Sequence, residues 1–359
     1  MWDTEFSDYL DWFLNNAGSV IRFRTTTEFL HEKNEAKFAE KKLLSSHLVR
    51  YWLGNLKPDF GRNALHGAKT ETYENVMGKL YEFGLKKGMP ILDHKTEPFR
   101  QWLRQQISIP KEGYLPVFYR TLVAAFLAMT GYGDDEPVKA WVLRRLETIY
   151  PFAKKGNLKE VYVPQDTFPG FPKAFRKSPL INPKIYPDEE MKLPWIHDLN
   201  AFLHLPSIME DATLRTKVET IIKFILSSEY QKLPVGYGVV RHKSGRYYAM
   251  GWSVHLPGYS GFEVLGREFG RLLLLLDLFG RSNAAKNHVW YRQSMETLTH
   301  FKNEEGLISF PREFLPEKRI GVWVLGMRMG LEENRRIRKS IVCESTFRFL
   351  KIKSRNTEQ

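Results

Sequence analysis

The run METLTHFKNEEGLISF, residues 295–310, is the part of the chain that says most about its fold. Its apolar residues recur roughly three to four positions apart, which is the spacing of one helix face. Gly306 then ends the helix, because glycine accepts the left-handed backbone conformation that a helix C-terminus requires. Two apolar stretches follow, IGVWVLG at 320–326 and ESTFRFL at 344–350. This order of helix, glycine break, apolar run and closing helix predicts one unit of an α/α architecture.

The rest of the chain extends that pattern over roughly ten or eleven amphipathic segments, mostly in adjacent pairs with short turns. Two segments, Thr96-Glu97-Pro98 and Asp134-Asp135-Glu136-Pro137, carry the acid and proline that favour a helix start. Paired helices are typical of an α/α toroid or an α-solenoid. Because no repeat of fixed period is visible, we expect the hairpins to close into a toroid. We predict an all-α fold in a single domain over residues 1–359.

Two segments interrupt the helices. Residues 155–194 contain seven prolines, which exclude a long helix because each lacks an amide donor. The segment is also rich in Phe, Tyr and Ile, so we interpret it as an ordered excursion packed over a cavity mouth; a domain boundary is the alternative. Residues 230–260 form an irregular insert, in which a Lys-Ser-Gly turn at 243–245 predicts a short β-hairpin.

Composition limits the class of protein. The chain has 359 residues, of which 43% are hydrophobic, and this is enough for a large core. Its only cysteine, Cys343, excludes an internal disulfide. No uncharged apolar run of about 18 residues is present, so we expect no transmembrane segment. The first residues lack a basic region followed by an apolar one, and we therefore expect a cytoplasmic protein.

The net charge of +13 permits a polyanionic partner, and nucleic acid is one such partner. The lysines and arginines are spread along the chain, so the charge could equally serve only solubility. Aromatic residues make up 14% of the chain, which favours an aromatic-lined cavity or groove, or simply a large core. The oligomeric state is not predicted by these features.

The helices that end in an acidic-glycine-aromatic break resemble those of the terpenoid cyclase and protein prenyltransferase toroids. The residues that carry the resemblance are Asn303-Glu304-Glu305-Gly306 with Phe310, and the closing stretch at 344–350. The resemblance implies a ring fold. It does not carry over either chemistry, because Asp134-Asp135-Glu136 lacks the spacing of the cyclase acid cluster and Cys343 has no neighbouring histidine to complete a prenyltransferase zinc site.

Residues 237–259, within the insert at 230–260, are the candidate ligand site, since binding residues concentrate on loops held by a rigid scaffold. We expect it to bind an anion or to transfer a proton, because it combines histidine, tyrosine and arginine. An ordered surface hairpin is the alternative. The expected ligand-binding residues are Tyr237, Arg246, Tyr248, Trp252, His255, Trp323 and Arg348, and the catalytic candidates are His255, Tyr248 and Asp198.

Several of these residues have simpler interpretations. Asp198 could face a cavity, although surface exposure would be the usual state of such an acid. Glu344 and Arg348 are four positions apart, which predicts a helical ion pair. A second polar cluster, Asn287, His288, Trp290, Tyr291 and Arg292, resembles the Asn-His-Tyr-Arg set of toroidal polysaccharide lyases. It raises the alternative of a cytosolic lyase-like enzyme acting on an acidic sugar.

Other chemistries have no pattern in the sequence. The ten histidines show no metal-ligand spacing, so we expect no metal site, and no phosphate-cradling glycine loop indicates a cofactor. An acid next to Cys343 should raise the pKa of its thiol, which favours a packed residue. We therefore expect a protein that binds, and could transform, a small or lipid-like anionic ligand. A nucleic-acid-binding protein and an interaction scaffold without a deep pocket are the other classes.

Overall fold

The computed structural model describes residues 4–109, 114–261 and 266–356. It is mostly helical, with 62% helix and 5% strand, and the described residues form seventeen α-helices and one four-stranded sheet. This confirms the predicted helical class. Contacts within the chain define two compact units: unit 1 comprises residues 1–95, 257–281 and 286–359, and unit 2 comprises residues 96–256 and 282–285. The prediction of one domain is not tested by this division.

Of the helices in the described residues, nine lie wholly in unit 1, and two more cross its boundary. The nine are α1 (Thr4–Asn16), α2 (Ser19–Arg24), α3 (Lys33–Ser45), α4 (His47–Asn55), α5 (Arg62–Leu65), α6 (Tyr73–Glu82), α14 (Phe269–Phe279), α16 (Val289–Thr299) and α17 (Arg338–Ser354). Helix α7 (Pro90–Ser108) begins in unit 1 and ends in unit 2. A π-helical turn at Thr25–Leu30 continues α2, so the threonine run at 25–27 is helical. The last helix, α17, is buried along most of its length.

Unit 2 contains six helices, one helix at its boundary, and the sheet. The helices are α8 (Tyr114–Leu127), α9 (Glu136–Lys155), α10 (Ile196–Phe202), α11 (Pro206–Glu210), α12 (Ala212–Leu226) and α13 (Ser228–Gln231), with α15 (Asn283–Lys286) at the boundary. Helix α8 packs on α9 and α10, and α9 packs on α12. Helix α9 begins after Asp135 with a proline in its first turn, as its sequence predicts.

The sheet joins the two segments that interrupt the helices. Its strands are β1 (Tyr162–Val163), β2 (Leu180–Ile181), β3 (Val239–Arg241) and β4 (Tyr247–Ala249), in that order across the sheet. Strands β3 and β4 form the predicted antiparallel hairpin, with Val240 opposite Tyr248. The proline-rich excursion supplies β1 and β2, and β2 pairs with β3 in parallel at Leu180 and Val239. The excursion is therefore ordered by hydrogen bonds to the insert.

One helical stretch in the described residues, Tyr114–Tyr132, has the length and the mean hydropathy, 1.2, of a membrane span. Within it, 78% of the most apolar window is buried inside the protein. Its apolar side chains pack against α9 and α10. Burial of this kind is what a core helix shows, and it agrees with the apolar interior helix that the sequence predicts here.

Candidate functional site

Two residues of the predicted site are held by internal hydrogen bonds in unit 2. The buried Tyr237 hydroxyl donates to the carbonyl of Pro194 at 2.5 Å and also contacts the hydroxyl of Tyr230. Burial raises the pKa of Tyr237 well above its ordinary value. His255 has Nδ1 at 2.8 Å from the Ser253 hydroxyl and Nε2 at 2.7 Å from the carbonyl of Leu233. Both ring nitrogens of this catalytic candidate are thus engaged in fixing the insert.

The other three residues of the insert lie nearer to solvent. Arg246 is exposed, and Tyr248 on β4 is half-buried with its ring 6.1 Å from that of His242. Trp252 is half-buried, and its ring centroid lies 5.8 Å from that of His197. Its φ of 69° is unusual for a bulky residue. These contacts do not test the prediction that the insert binds a ligand, and it stays a prediction.

Asp198 is not on the surface. It is fully buried, and its two carboxylate oxygens accept hydrogen bonds of 2.9 and 3.0 Å from the guanidinium of Arg145. The amide of Trp195 donates a third, at 2.9 Å, as the cap of α10. Arg145 also donates to the carbonyl of Met191 at 2.9 Å. The expected exposure of Asp198 is therefore wrong, because α9 supplies a partner that makes burial favourable.

The two predicted ligand residues of unit 1 are also internal. Trp323 is 3% exposed, and its ring packs so tightly on α6 that a Cβ at Gly78 would overlap it. Arg348 donates two 2.8 Å hydrogen bonds to the carboxylate of Glu82 and one of 2.6 Å to the carbonyl of Met329. The predicted pair of Arg348 with Glu344 is wrong, since Glu344 pairs with Arg335 instead.

The lyase-like cluster has structural roles wherever its contacts are described. His288 accepts the amide of Trp290 at 3.2 Å and so caps α16. Trp290 donates from its indole to the carbonyl of Pro257 at 2.8 Å. Tyr291 is 2% exposed, and burial raises the pKa of its hydroxyl. A substrate would not reach that hydroxyl without movement of the core.

Cys343 and Glu332 are neighbouring buried groups in unit 1. Burial first, and then the charge of Glu332, raises the pKa of the Cys343 thiol to about 12, which confirms the packed thiol. Burial, with a smaller contribution from Glu344, raises the pKa of Glu332 from 4.5 to about 7. The amide of Gly18 donates to Glu332 at 2.8 Å and opposes that rise.

The raised pKa of Glu332 predicts how stability depends on pH. The folded state binds this proton more tightly than the unfolded state, so the free energy of unfolding should fall as pH rises from 4.5 towards 7 and then level off. We expect Glu332→Gln, which keeps an acceptor for Gly18, to remove about 2–3 kcal/mol of that dependence. Urea denaturation at pH 5 and pH 8 measures it, and an unchanged slope in the variant would contradict the assignment.

A cleft of about 560 Å³ in unit 2 is the candidate functional site. One wall is a stripe of α9 in which side chains recur every three or four residues. The opposite wall comes from the proline-rich excursion. The residues that line the cleft are Arg144, Glu147, Thr148, Pro151, Phe152, Lys155, Asn157, Glu160, Lys184, Ile185, Pro187, Asp188, Glu190 and Lys192.

The charges along the cleft are unequally paired. Arg144 donates to Glu190 at 2.9 Å, and Glu147 is paired with Lys217 outside the cleft. Glu190 also accepts the hydroxyl of Thr148 at 3.0 Å. After these pairs, three ammonium groups remain without a carboxylate partner in the described chain: Lys155, Lys184 and Lys192.

Two carboxylates of the cleft, Glu160 and Asp188, are likewise outside any described ion pair. Asn157 donates to Glu160 at 3.2 Å, and Lys192 donates to the carbonyl of Lys184 at 2.9 Å. The three lysines without a carboxylate partner therefore outnumber these two carboxylates by one positive charge. Between the charges, Phe152 and two prolines offer apolar surface, so the cleft suits an amphipathic anion.

The wall contributed by the excursion is conformationally strained. Asp188 and Glu189 have φ values of 50° and 66°, in the left-handed region that residues other than glycine seldom adopt. Glu189 is 5% exposed and accepts the amide of Lys243 at 3.5 Å. Strain of this type is found at binding sites, where the surrounding structure holds it. Asp188 is thereby fixed at the cleft rim.

The sequence offered one usable signal for this cleft. The stripe on α9 places lysine, arginine and phenylalanine together on a face that would ordinarily be a solvated one. Only the partner wall, which comes from residues 30 to 50 positions further along, turns that face into a cleft. Among the described residues, no group of histidine, cysteine or acidic side chains could hold a metal ion. Comparison of the chain with protein-family models, curated proteins and solved structures gives no match.

Proposed function

We propose that the chain binds a small or lipid-like anionic ligand in the cleft of unit 2. The observation that supports this most directly is a set of three lysines around the apolar surface of Phe152. Lys155, Lys184 and Lys192 have no carboxylate partner in the described chain. A carboxylate would lie among the ammonium groups, and the rest of the ligand would cover the aromatic ring. The cleft volume of about 560 Å³ falls in the range of small-molecule sites.

Binding is the activity that these groups support. No acid-base pair in the described part of the cleft has the contacts of an activated nucleophile, and the catalytic candidates Asp198 and His255 are occupied by internal partners. The proposal therefore assigns a ligand and leaves the reaction open. A cytoplasmic location remains part of this proposal.

Removal of two lysines should weaken binding of the ligand without changing the fold. We expect Lys155→Gln with Lys184→Gln to bind decanoate about fivefold more weakly than the natural chain, because each exposed ammonium contributes about 0.5 kcal/mol. Isothermal titration at low ionic strength measures the change. Decan-1-ol, which has the same apolar chain and no charge, should bind both proteins alike.

The matched control is Lys159→Gln, which removes an exposed lysine from the same region but not from the cleft. It should bind decanoate as the natural chain does. If the control and the double variant lost affinity equally, net charge would explain the effect and the cleft assignment would fail.

A second candidate function is supported by helix α3. Its only buried residue is Leu43, and it carries lysines at 33, 37, 41 and 42. Phe38 is 62% exposed on this helix, with the ammonium of Lys42 at 4.3 Å from its ring centroid. Exposed aromatic and basic residues together favour single-stranded nucleic acid. A gel shift with a short single-stranded RNA at two salt concentrations tests it, since such binding must weaken steeply with salt.

We also retain the α/α toroid as a proposal about architecture. The helix pairs α8–α9 within unit 2 and α3–α4 within unit 1 are consecutive in the chain and in contact, as the hairpins of such a ring would be. An experimental structure at side-chain resolution tests whether the pairs close into a ring. An open superhelix would contradict it.

A further inference from the structure

Arg120 is a buried cation that has no acidic partner among the described residues. It lies in the interior part of α8 and is 2% exposed. Its Nε and Nη1 atoms are enclosed and have no hydrogen-bond partner in the described structure. Burial, and then the charge of Arg144, lowers the pKa of Arg120. Every other strongly buried arginine discussed above, Arg145 and Arg348, has a carboxylate against it.

A second arginine shares the same aromatic neighbour. The guanidinium carbon of Arg120 is 5.5 Å from the ring centroid of Trp141, and that of Arg144 is 6.0 Å from it. The ring is fixed, because its indole donates to the hydroxyl of Thr121 at 3.1 Å and the side chain is 1% exposed. Arg144 uses only its Nε for Glu190, so its terminal nitrogens remain available.

This arrangement is unfavourable unless an anion completes it. A buried guanidinium without a counter-charge costs several kcal/mol in an ordinary interior, and cation–π contact with Trp141 offsets only part of that. Two like charges beside one ring add repulsion. An oxyanion that accepts from Nη2 of Arg120, the one guanidinium nitrogen that is not enclosed, and from Arg144 would offset the buried charge and reduce the repulsion. The fork of N–H groups fits phosphate oxygens well.

We propose that Arg120 and Arg144, held beside Trp141, form a binding site for a phosphate group, distinct from the lysines of the cleft. The phosphate could be free or carried by a soluble phosphomonoester. Glu190 already pairs with Arg144, so Arg120 carries the uncompensated charge. A phosphate fits better than a carboxylate because its several oxygens can accept from both guanidinium groups at once. Arg144 also lines the cleft, so the variants below separate this site from the lysines of the cleft.

Thermal unfolding with added anions tests the site. We expect inorganic phosphate, compared with sodium chloride at equal ionic strength, to raise the unfolding midpoint by about 2 °C or more. Acetate should give no such rise. Glycerol phosphate is the second arm: a rise as large as that with phosphate identifies a phosphomonoester site, and a smaller rise identifies a site for the free ion.

The variants separate a ligand site from a structural residue. Arg120→Met should lose the phosphate-dependent rise, while Arg215→Met, an exposed arginine on α12, should keep it. If Arg120→Met does not fold, Arg120→Lys keeps the charge without the fork and should lose most of the rise. Retention of the full rise in the Arg120 variants, an equal rise with acetate, or no rise in the natural chain would each overturn the proposal. Lys155→Gln with Lys184→Gln should leave the phosphate response unchanged.

Discussion

Replacement of Asp198 by alanine is expected to lower the free energy of unfolding by about 3–5 kcal/mol. The reason is that Arg145, 1% exposed, would keep its charge in the core with only the carbonyl of Met191 as an acceptor. The amide of Trp195 would lose its acceptor at the start of α10 as well. Urea denaturation of purified variants measures the change.

The control uses both members of the pair. Asp198→Leu with Arg145→Met replaces the charges by apolar groups of similar size and should recover much of the lost stability, since a buried pair contributes little net free energy while a broken one costs a great deal. If Asp198→Ala unfolded at the same urea concentration as the natural chain but lost ligand binding, Asp198 would be a site residue, as first predicted, and its structural role would be wrong.

Arg348→Met in α17 should have an effect of the same size, about 3–5 kcal/mol, because it removes the guanidinium that is hydrogen-bonded to the buried carboxylate of Glu82. Glu82 is 2% exposed and receives both hydrogen bonds from Arg348 at 2.8 Å. The pKa of Glu82 is lowered by that arginine against the opposing effect of burial. The variant should therefore raise the pKa of Glu82 and become more stable, relative to the natural chain, as pH falls.

Chemical denaturation of Arg348→Met at pH 5 and pH 7 measures both effects. The matched variant is Arg338→Met at the exposed start of the same helix, which should change stability by about 0.5 kcal/mol or less. Equal stability of Arg348→Met and the natural chain at both pH values would show that the Glu82 pair is dispensable.

Local features of the structure could be predicted from the sequence. The start of α9 at Glu136 follows its acid and proline signal. Gly306 has the predicted left-handed backbone, with a φ of 83°, but it does not end α16, which already ends at Thr299; its amide instead closes a turn on the carbonyl of Asn303. The hairpin of β3 and β4 follows from alternation and a Lys-Ser-Gly turn. Each of these depends on residues close together in the chain, where backbone preferences act directly.

One local prediction was wrong for a physical reason. Thr96-Glu97-Pro98 does not start a helix, because α7 already begins at Pro90 and continues through Pro98. The apolar side chains of Leu92, Phe99 and Leu103 are fully buried along one face of that helix. Their burial outweighs the one backbone hydrogen bond that an internal proline removes.

The roles of the residues predicted as site residues could not be derived from the sequence, because their partners come from distant segments of the chain. Asp198 is 53 residues from its partner Arg145, and Arg348 is 266 residues from Glu82. Periodicity assigns a residue to a face but does not say which partner that face meets. Polar residues such as Tyr237 and His255 therefore looked like site residues, whereas the structure uses them as internal hydrogen-bonding groups.

The claim that a small anion binds in the cleft of unit 2 is tested most directly by a crystal structure of the protein with decanoate. The account predicts ligand density between the α9 stripe at 144–155 and the turns at 184–192, with the carboxylate within about 3 Å of at least one of Lys155, Lys184 and Lys192. Density at the insert of residues 237–259 instead, or a cleft that holds only solvent at saturating decanoate, would contradict it.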